Sequence, residues 1–309
     1  MAKKDKKLIV ILGQTATGKT DLSIRLALWL NSKKTQKELN IKGAEIVSAD
    51  SRQVYKKMDI GTGKITKKEM RGIPHYLLDI ASPKRTFTIV KYQKLAYSAI
   101  DKILKNKKIP LLVGGSPLYL YSIIEGWNFP KVKPDWQLRK KFERKNPSQL
   151  FELLKKIDPK RAKQIDKNNK RRLIRAIEIA RTLGQVPQLK KKSKYNFLLI
   201  GIKKTKSELQ KLINKRLKKR FKQGMIKEVK KLKESDLSWK RLEEFGLEYR
   251  WIAKFLQKKI NHNEMVQNLQ KDIEKFAKRQ MTWFKKDKKI HWTQNPKEAK
   301  KIVQNFLKK

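Results

Sequence analysis

The chain has 309 residues, 80 Lys+Arg against 28 Asp+Glu for a formal charge of +52, no cysteine and 39% hydrophobic residues. The missing cysteines exclude disulfides, thiolate nucleophiles, iron–sulfur clusters and Cys-ligated zinc, and three scattered histidines (His75, His262, His291) make no cage, so any metal is held by oxygen. The charge asks for a polyanion, because each neutralised phosphate releases a counterion, but 64 of the 80 cations are lysine, a bias that codon usage explains equally well.

In chain order, MAKKDKK precedes only five apolar residues, Leu8–Leu12, too few for a signal-peptide core. Neither this run nor Ile109–Val113 approaches the roughly 18 residues of a membrane span, so a cytoplasmic protein is expected. Leu8–Leu12 reads as a buried strand and Lys19–Leu30 as a helix with Leu22, Leu26 and Leu30 on one face. Glu45–Ala49 and Tyr76–Ile80 read as strands, Thr88–Leu104 as a helix and Ile109–Val113 as a strand. This alternation predicts an α/β fold, a parallel sheet covered by helices.

From Phe129 to Tyr195 the pattern changes to short basic helices punctuated by Pro130, Pro134, Pro147, Pro159 and Pro187, with 22 basic against 6 acidic residues and no strand signal. A strand returns at Asn196–Ile202, followed by helices over Ser207–Phe221, Met225–Lys233, Leu242–Leu256 and Met265–Phe284. The expected organisation is an α/β core over 1–128 and 196–309, interrupted by a helical insertion over 129–195. Lys190–Lys194 and Lys308–Lys309 read as a solvated linker and tail. The aromatics Phe276, Trp283 and Phe284 stand at helical spacing and are expected in the core.

Residues 13–20, GQTATGKT, fit G-x-x-x-x-G-K-[ST] between a strand and a helix. In such a loop Gly13 and Gly18 let the backbone N–H groups of Gln14, Thr15, Ala16 and Thr17 turn inward, Lys19 reaches terminal phosphate oxygens, and Thr20 offers a hydroxyl to Mg²⁺. The loop implies a di- or triphosphate without requiring a nucleotide. The strand Ile109–Val113 runs into Gly114–Gly115–Ser116 with no Walker-B carboxylate; the acid stands instead at Asp50, after Ile46–Ala49. That position, at the carboxyl end of a parallel strand beside a phosphate loop, suits a catalytic group, or a cap for the short turn that follows.

GQTATGKT together with SADSRQVYKKMDIGTGK (48–64), IPHYLLDI (73–80), PLLVGGSPLY (110–119), RRLIRAIE (171–178) and AKRQMTWF (277–284) resembles the tRNA dimethylallyltransferases, or tRNA isopentenyltransferases, in family order across nearly the whole chain. The resemblance implies a P-loop NTPase-like core and transfer of a dimethylallyl group from dimethylallyl diphosphate to N6 of adenosine 37, beside the anticodon, in tRNAs reading codons that begin with U. It implies Asp50 as the base that takes the N6 proton, Asp50, Ser51, Arg52 and Gln53 as the segment meeting the adenosine, and Ser116, in place of a usual threonine, as a tRNA contact. Arg139, Arg171, Arg172 and Arg175 match tRNA-contacting positions, Arg171 where glutamine is common, and Arg220 matches an arginine near the diphosphate. Mg²⁺ on Thr20, a tRNA anticodon arm as partner and a monomeric enzyme complete the expectation. Competing readings are a P-loop small-molecule kinase with a helical lid, a non-catalytic RNA-binding module, and an enzyme acting on free adenine nucleotides.

Overall fold

The structure is a computed structural model that describes residues 6–309, so residues 1–5 of the MAKKDKK opening lie outside the described residues. Six strands, β1 (Lys7–Gly13), β2 (Ala44–Ser48), β3 (His75–Tyr76), β4 (Ile109–Gly114), β5 (Asn196–Ile202) and β6 (Ile290–Trp292), form one sheet in the order β3-β2-β4-β1-β5-β6. Every pairing is parallel. An all-parallel sheet must be covered on both faces, which is why Leu8–Leu12 and Ile109–Leu112 read as unbroken apolar runs and are buried. On one face Leu22, Leu26 and Leu30 of the helix Lys19–Leu30 pack on Ile9, Ile11, Ile46, Leu111 and Ile200. Each such side chain contributes about 1.5–3 kcal/mol when fully buried.

The elements depart from expectation in three places. The strand expected over Tyr76–Ile80 is only His75–Tyr76, because Leu77 and Asp79 take φ of 67° and 55° and turn the chain out of the extended region. The helix expected over Leu242–Leu256 is two helices, Trp239–Phe245 and Leu247–Leu256, separated by Gly246 at φ 73°, ψ −172°, a conformation open to glycine. The Lys308–Lys309 tail belongs to a helix, Pro296–Lys308, whose Ala299 and Val303 join the core and whose Lys308 ammonium lies 2.9 Å from the Glu38 carboxylate. Asn295 at its N-cap and Pro296 at its first turn are ordinary start signals.

The described residues divide into two compact units, one of residues up to 125 together with 193–309, the other Gly126–Lys192, against the expected insertion at 129–195. The smaller unit has its own core of Phe142, Leu150, Leu154, Leu173, Ile174 and Ile177. Its helices start at side-chain caps from Asp135, Asn146, Asp158 and Asn169. Glu178 is its buried electrostatic centre. The carboxylate accepts two bonds from the Arg139 guanidinium at 2.5 and 2.8 Å, one from Arg175 at 2.9 Å and one from the Asp135 amide at 3.1 Å. Burial alone would raise its pKa, but the bonds from Arg139 and Arg175 outweigh it and hold the carboxyl below its ordinary 4.5.

Glu178→Gln is therefore expected to destabilise the protein by about 2 kcal/mol, below the full cost of breaking a buried pair because both arginines are partly solvated. A depressed carboxylate pKa stabilises the fold above the unfolded value and loses that stabilisation as pH falls through the folded one. In urea unfolding, the wild-type advantage over the variant should hold from neutrality down to the ordinary value of 4.5 and shrink below it.

Candidate active site

Strand β1 delivers the chain into the phosphate loop at Gly13. Ala16 turns at φ 63°, and Gly18, at φ 92°, is the N-cap of the helix Lys19–Leu30 with no side chain bonded to its first turn. The leading N–H groups of that helix are thereby left for a ligand, where the helix dipole favours an anion. The loop is held from behind by the helix His262–Phe284. The Thr15 amide donates to Gln280 Oε1 at 2.8 Å, Gln280 Nε2 donates to the Gly115 carbonyl at 2.7 Å, and Gln14 Nε2 donates to the Ala277 carbonyl at 3.1 Å. Thr17 Oγ1 donates to the Gln14 carbonyl at 2.9 Å. Gln280 thus joins the loop after β1 to the loop after β4.

The Lys19 ammonium folds onto the Gln14 carbonyl. Its pKa falls from 10.5 to about 7, through burial first and the neighbouring Arg216 second, with Asp50 opposing. Arg216 Nη1 donates to Thr15 Oγ1 at 3.2 Å, and burial, then Arg220, brings its pKa down to about 10. Arg220 itself stands one turn further along, buried, and donates through Nη1 to Glu248 Oε1 at 2.7 Å and to the Gly61 carbonyl at 3.0 Å. Of the two arginines in RLKKRF (216–221), Arg216 faces the phosphate loop and Arg220 braces the segment 61–63, whose Gly63 has no room for a Cβ against the two guanidiniums. The i, i+4 spacing was the available signal for Arg216.

Asp50 serves in part as the cap. Its Oδ1 accepts the amides of Arg52 at 2.8 Å and Gln53 at 3.3 Å, while Oδ2 takes no hydrogen bond from the described residues. Ser116 Oγ accepts the Ser51 amide at 3.1 Å, linking the turn after β2 to the loop after β4. Gln53 Nε2 donates to the Gly63 carbonyl at 3.1 Å, and the Arg52 guanidinium lies 5.7 Å from the Phe245 ring centroid, burial lowering its pKa from the ordinary value. Segment 59–61 hangs on Glu228, which accepts the amides of Asp59, Ile60 and Gly61 at 2.8, 2.7 and 3.0 Å and the Tyr249 hydroxyl at 2.8 Å. Glu228 carries no motif at sequence level and was not foreseen.

Lys19, Thr20, Asp50, Gln53 and Arg216 open onto one cavity of about 100 Å³, whose other walls include Ile46, Ile65, Leu78, Val113 and Phe276. Phe276 therefore lines the cavity rather than filling the core; Phe284 is fully buried, and Trp283, 37% exposed, lies against Tyr121. Cationic and apolar walls side by side suit a short alkyl diphosphate. The Thr20 hydroxyl and the Asp50 carboxylate are among the side-chain oxygens that line the cavity. Mg²⁺ binds through few protein ligands when substrate phosphates complete its octahedron, and this donor set fits it.

In the smaller unit Arg139 and Arg175 are committed to Glu178, Arg175 also donating to the Val132 carbonyl at 2.8 Å. Arg171 and Arg172 are exposed. No helix among the described residues is long and apolar enough to cross a membrane.

A parallel sheet, a phosphate loop ahead of its first helix and a carboxylate beyond the end of β2, one strand removed from β1, define a P-loop NTPase-like enzyme. Residues 53–287 match the family model for IPP transferase. The chain is 39% identical to a tRNA dimethylallyltransferase of Halothermothrix orenii, over 97% of this chain and 93% of the relative, and 38% identical to one of Acetivibrio thermocellus, over 97% and 96%. Among solved structures it resembles the full-length tRNA isopentenylpyrophosphate transferase of Bacillus halodurans, with TM-score 0.73 and 33% identity over 98% of this chain and 97% of that one. It also resembles a eukaryotic dimethylallyltransferase acting on tRNA, with TM-score 0.76 and 26% identity over 90% of this chain and 70% of that one. The chain belongs to the IPP transferase family, the tRNA dimethylallyltransferases.

A diphosphate bound against Lys19 raises its pKa again, because an adjacent anion favours the ammonium. Between the free value of about 7 and the ordinary 10.5, binding must then take up protons, and affinity must fall as pH rises. Calorimetric titration with inorganic diphosphate at about pH 8, in buffers of different ionisation enthalpy, should read more proton uptake for the wild type than for Lys19→Met, the ionisation of the ligand being common to both. An equal uptake in the two proteins would mean that Lys19 gains no proton on binding.

Proposed function

We propose that the enzyme, acting as a cytoplasmic monomer, transfers the dimethylallyl group of dimethylallyl diphosphate to the exocyclic N6 of adenosine 37 in tRNAs that read codons beginning with U. The observation that carries this reading is the single cavity onto which the Lys19 ammonium, the Asp50 carboxylate and an apolar wall all open. The allylic carbon–oxygen bond breaks, a carbon–N6 bond forms, and diphosphate leaves. Residues Gly13 to Thr20 hold that diphosphate, with Lys19 and Arg216 neutralising charge as it develops. Arg220 acts by holding segment 61–63 against Arg216. Mg²⁺ on Thr20, when bound, neutralises the leaving diphosphate further.

An adenine amine is a poor nucleophile until it loses a proton, and Oδ2 of Asp50 is free to accept it, a role worth about 10²–10⁴-fold. The adenosine leaves its stack to reach the cavity, where Ser51, Arg52, Gln53 and Ser116 frame it. The anticodon arm rests on Arg171 and Arg172, with Arg139 and Arg175 shaping the surface beneath. Family membership does not favour the kinase reading.

Purified protein with Mg²⁺, labelled dimethylallyl diphosphate and unmodified tRNA bearing an A-rich anticodon loop should place label in tRNA without ATP. ATP-dependent phosphorylation of a small molecule, with no label in tRNA, would overturn the proposal. Asp50→Ala should lower turnover at least about a hundredfold. Asp50→Asn separates the two uses of this residue: its side-chain oxygen still accepts the Arg52 and Gln53 amides, so a loss as deep as that of alanine identifies the base, and near-normal turnover assigns Asp50 to capping alone. Changing Arg171 and Arg172 together to glutamine should weaken tRNA binding and reduce the slope of log affinity against log salt by about 1.4–1.8.

A further inference from the structure

Trp136 has the largest exposure among the large hydrophobic side chains described, 66%, and it sits on the smaller unit rather than on the core. A single exposed apolar side chain is ordinary on a protein surface; what distinguishes Trp136 is the bracing beneath its ring and the charge around it. These surroundings narrow what an occupant can be. Trp136 opens the helix Trp136–Glu143, whose N-cap Asp135 accepts the Leu138 amide at 2.9 Å. One turn on, the Arg139 guanidinium lies 5.1 Å from the indole ring centroid. Both bonds of that guanidinium go to the buried Glu178, which also receives the Asp135 amide. Indole, guanidinium and the helix start are thus tied to one buried carboxylate, and the indole stands fixed with much of its surface open.

We propose that Trp136 is a stacking platform for an unpaired base of the tRNA anticodon loop; this rests on the functional reading above. Charge supports a nucleic acid as the occupant, since residues 126–192 hold 21 basic against 6 acidic residues, and Lys133 and Lys140, close to Trp136 in sequence, are exposed. The flat aromatic face supports a base rather than a phosphate, and a base within a duplex has no free face to offer. Stacking on such a platform contributes about 1–3 kcal/mol per base and tolerates any base, because every base has a π-face. Arg139 then works from beneath the indole, as its brace, and not as a contact to tRNA phosphate.

The test compares Trp136→Ala, Trp136→Leu and Trp136→Phe with the wild type in steady-state transfer to tRNA. Trp136→Ala should raise KM for tRNA about tenfold, equivalent to about 1.4 kcal/mol, with the effect falling on KM for tRNA rather than on kcat or on KM for dimethylallyl diphosphate. Trp136→Leu keeps apolar bulk without a π-face and should resemble alanine; Trp136→Phe should recover most of the loss. Equal thermal midpoints show that folding is intact. An unchanged KM for tRNA in the alanine variant, or full recovery by leucine, overturns the platform while leaving transfer by the wild type untouched. A wild type that modifies no tRNA overturns the functional reading instead, and direct binding of the variants to an isolated anticodon stem-loop still decides the platform.

Discussion

The side-chain amide of Gln280 carries the constraint on which the site depends. A parallel sheet ends in loops that have no ladder partners, and their backbone groups must be satisfied elsewhere or lose about 1–3 kcal/mol each. Gln280 accepts the Thr15 amide and donates to the Gly115 carbonyl, so a single planar group fixes the separation of the loops after β1 and β4. No room for a larger residue remains at Gly115, where an added Cβ would lie 2.5 Å from Gln280 Nε2. Ser116, next along, reaches the turn after β2. The phosphate loop and the Asp50 turn are in this way both referred to the loop after β4, which fixes their relation to one another.

That relation concentrates positive charge. Lys19, Arg216 and Arg220 stand together at the site, and the lowered pKa values of Lys19 and Arg216 express the cost of burying cations beside one another. The carboxylates are arranged accordingly. Glu248 neutralises Arg220, one turn beyond Arg216, whereas Glu228 is spent on three backbone amides and a tyrosine hydroxyl. Among the described residues, no carboxylate is hydrogen-bonded to Lys19 or Arg216. Under the proposed function, a diphosphate anion would relieve this arrangement, exchanging the neutral oxygens of Gln14 and Thr15 for charged ones.

Sequence pattern revealed the parts of the fold in which local signals and tertiary packing agree. The strands Leu8–Leu12 and Asn196–Ile202 and the helix Lys19–Leu30 are of this kind, their apolar positions being the buried ones. It failed where one residue's backbone angle overrides an apolar run. The run Tyr76–Ile80 breaks at Leu77, and Leu242–Leu256 breaks at Gly246, though hydrophobic residues continue through both. At the site, the phosphate loop and Asp50 were legible because their chemistry requires particular residue types at fixed spacing. Gln280 and Glu228 were not, because each takes its role from a contact between segments far apart in sequence, 265 residues for the bond from Thr15 to Gln280, and for Arg216 only the i, i+4 spacing to Arg220 pointed the way.

The two kinds of cation divide the work of holding a polyanion. With 28 acidic residues for 80 Lys+Arg, most of the excess has counterions as its only neutralising partner, and exposed lysines supply an attraction that is long-ranged, salt-dependent and without register. Arginine forks behave differently here. Those of Arg139, Arg175 and Arg220 are spent on Glu178 and Glu248, inside the protein, where planar geometry positions other groups: an indole over Arg139, segment 61–63 beside Arg220. If the proposed RNA contacts hold, exposed lysine supplies the attraction, while internally bonded arginine shapes the surface that the RNA would meet. The net charge by itself is silent on this division, because it counts a guanidinium locked to a buried carboxylate and an ammonium in open water alike.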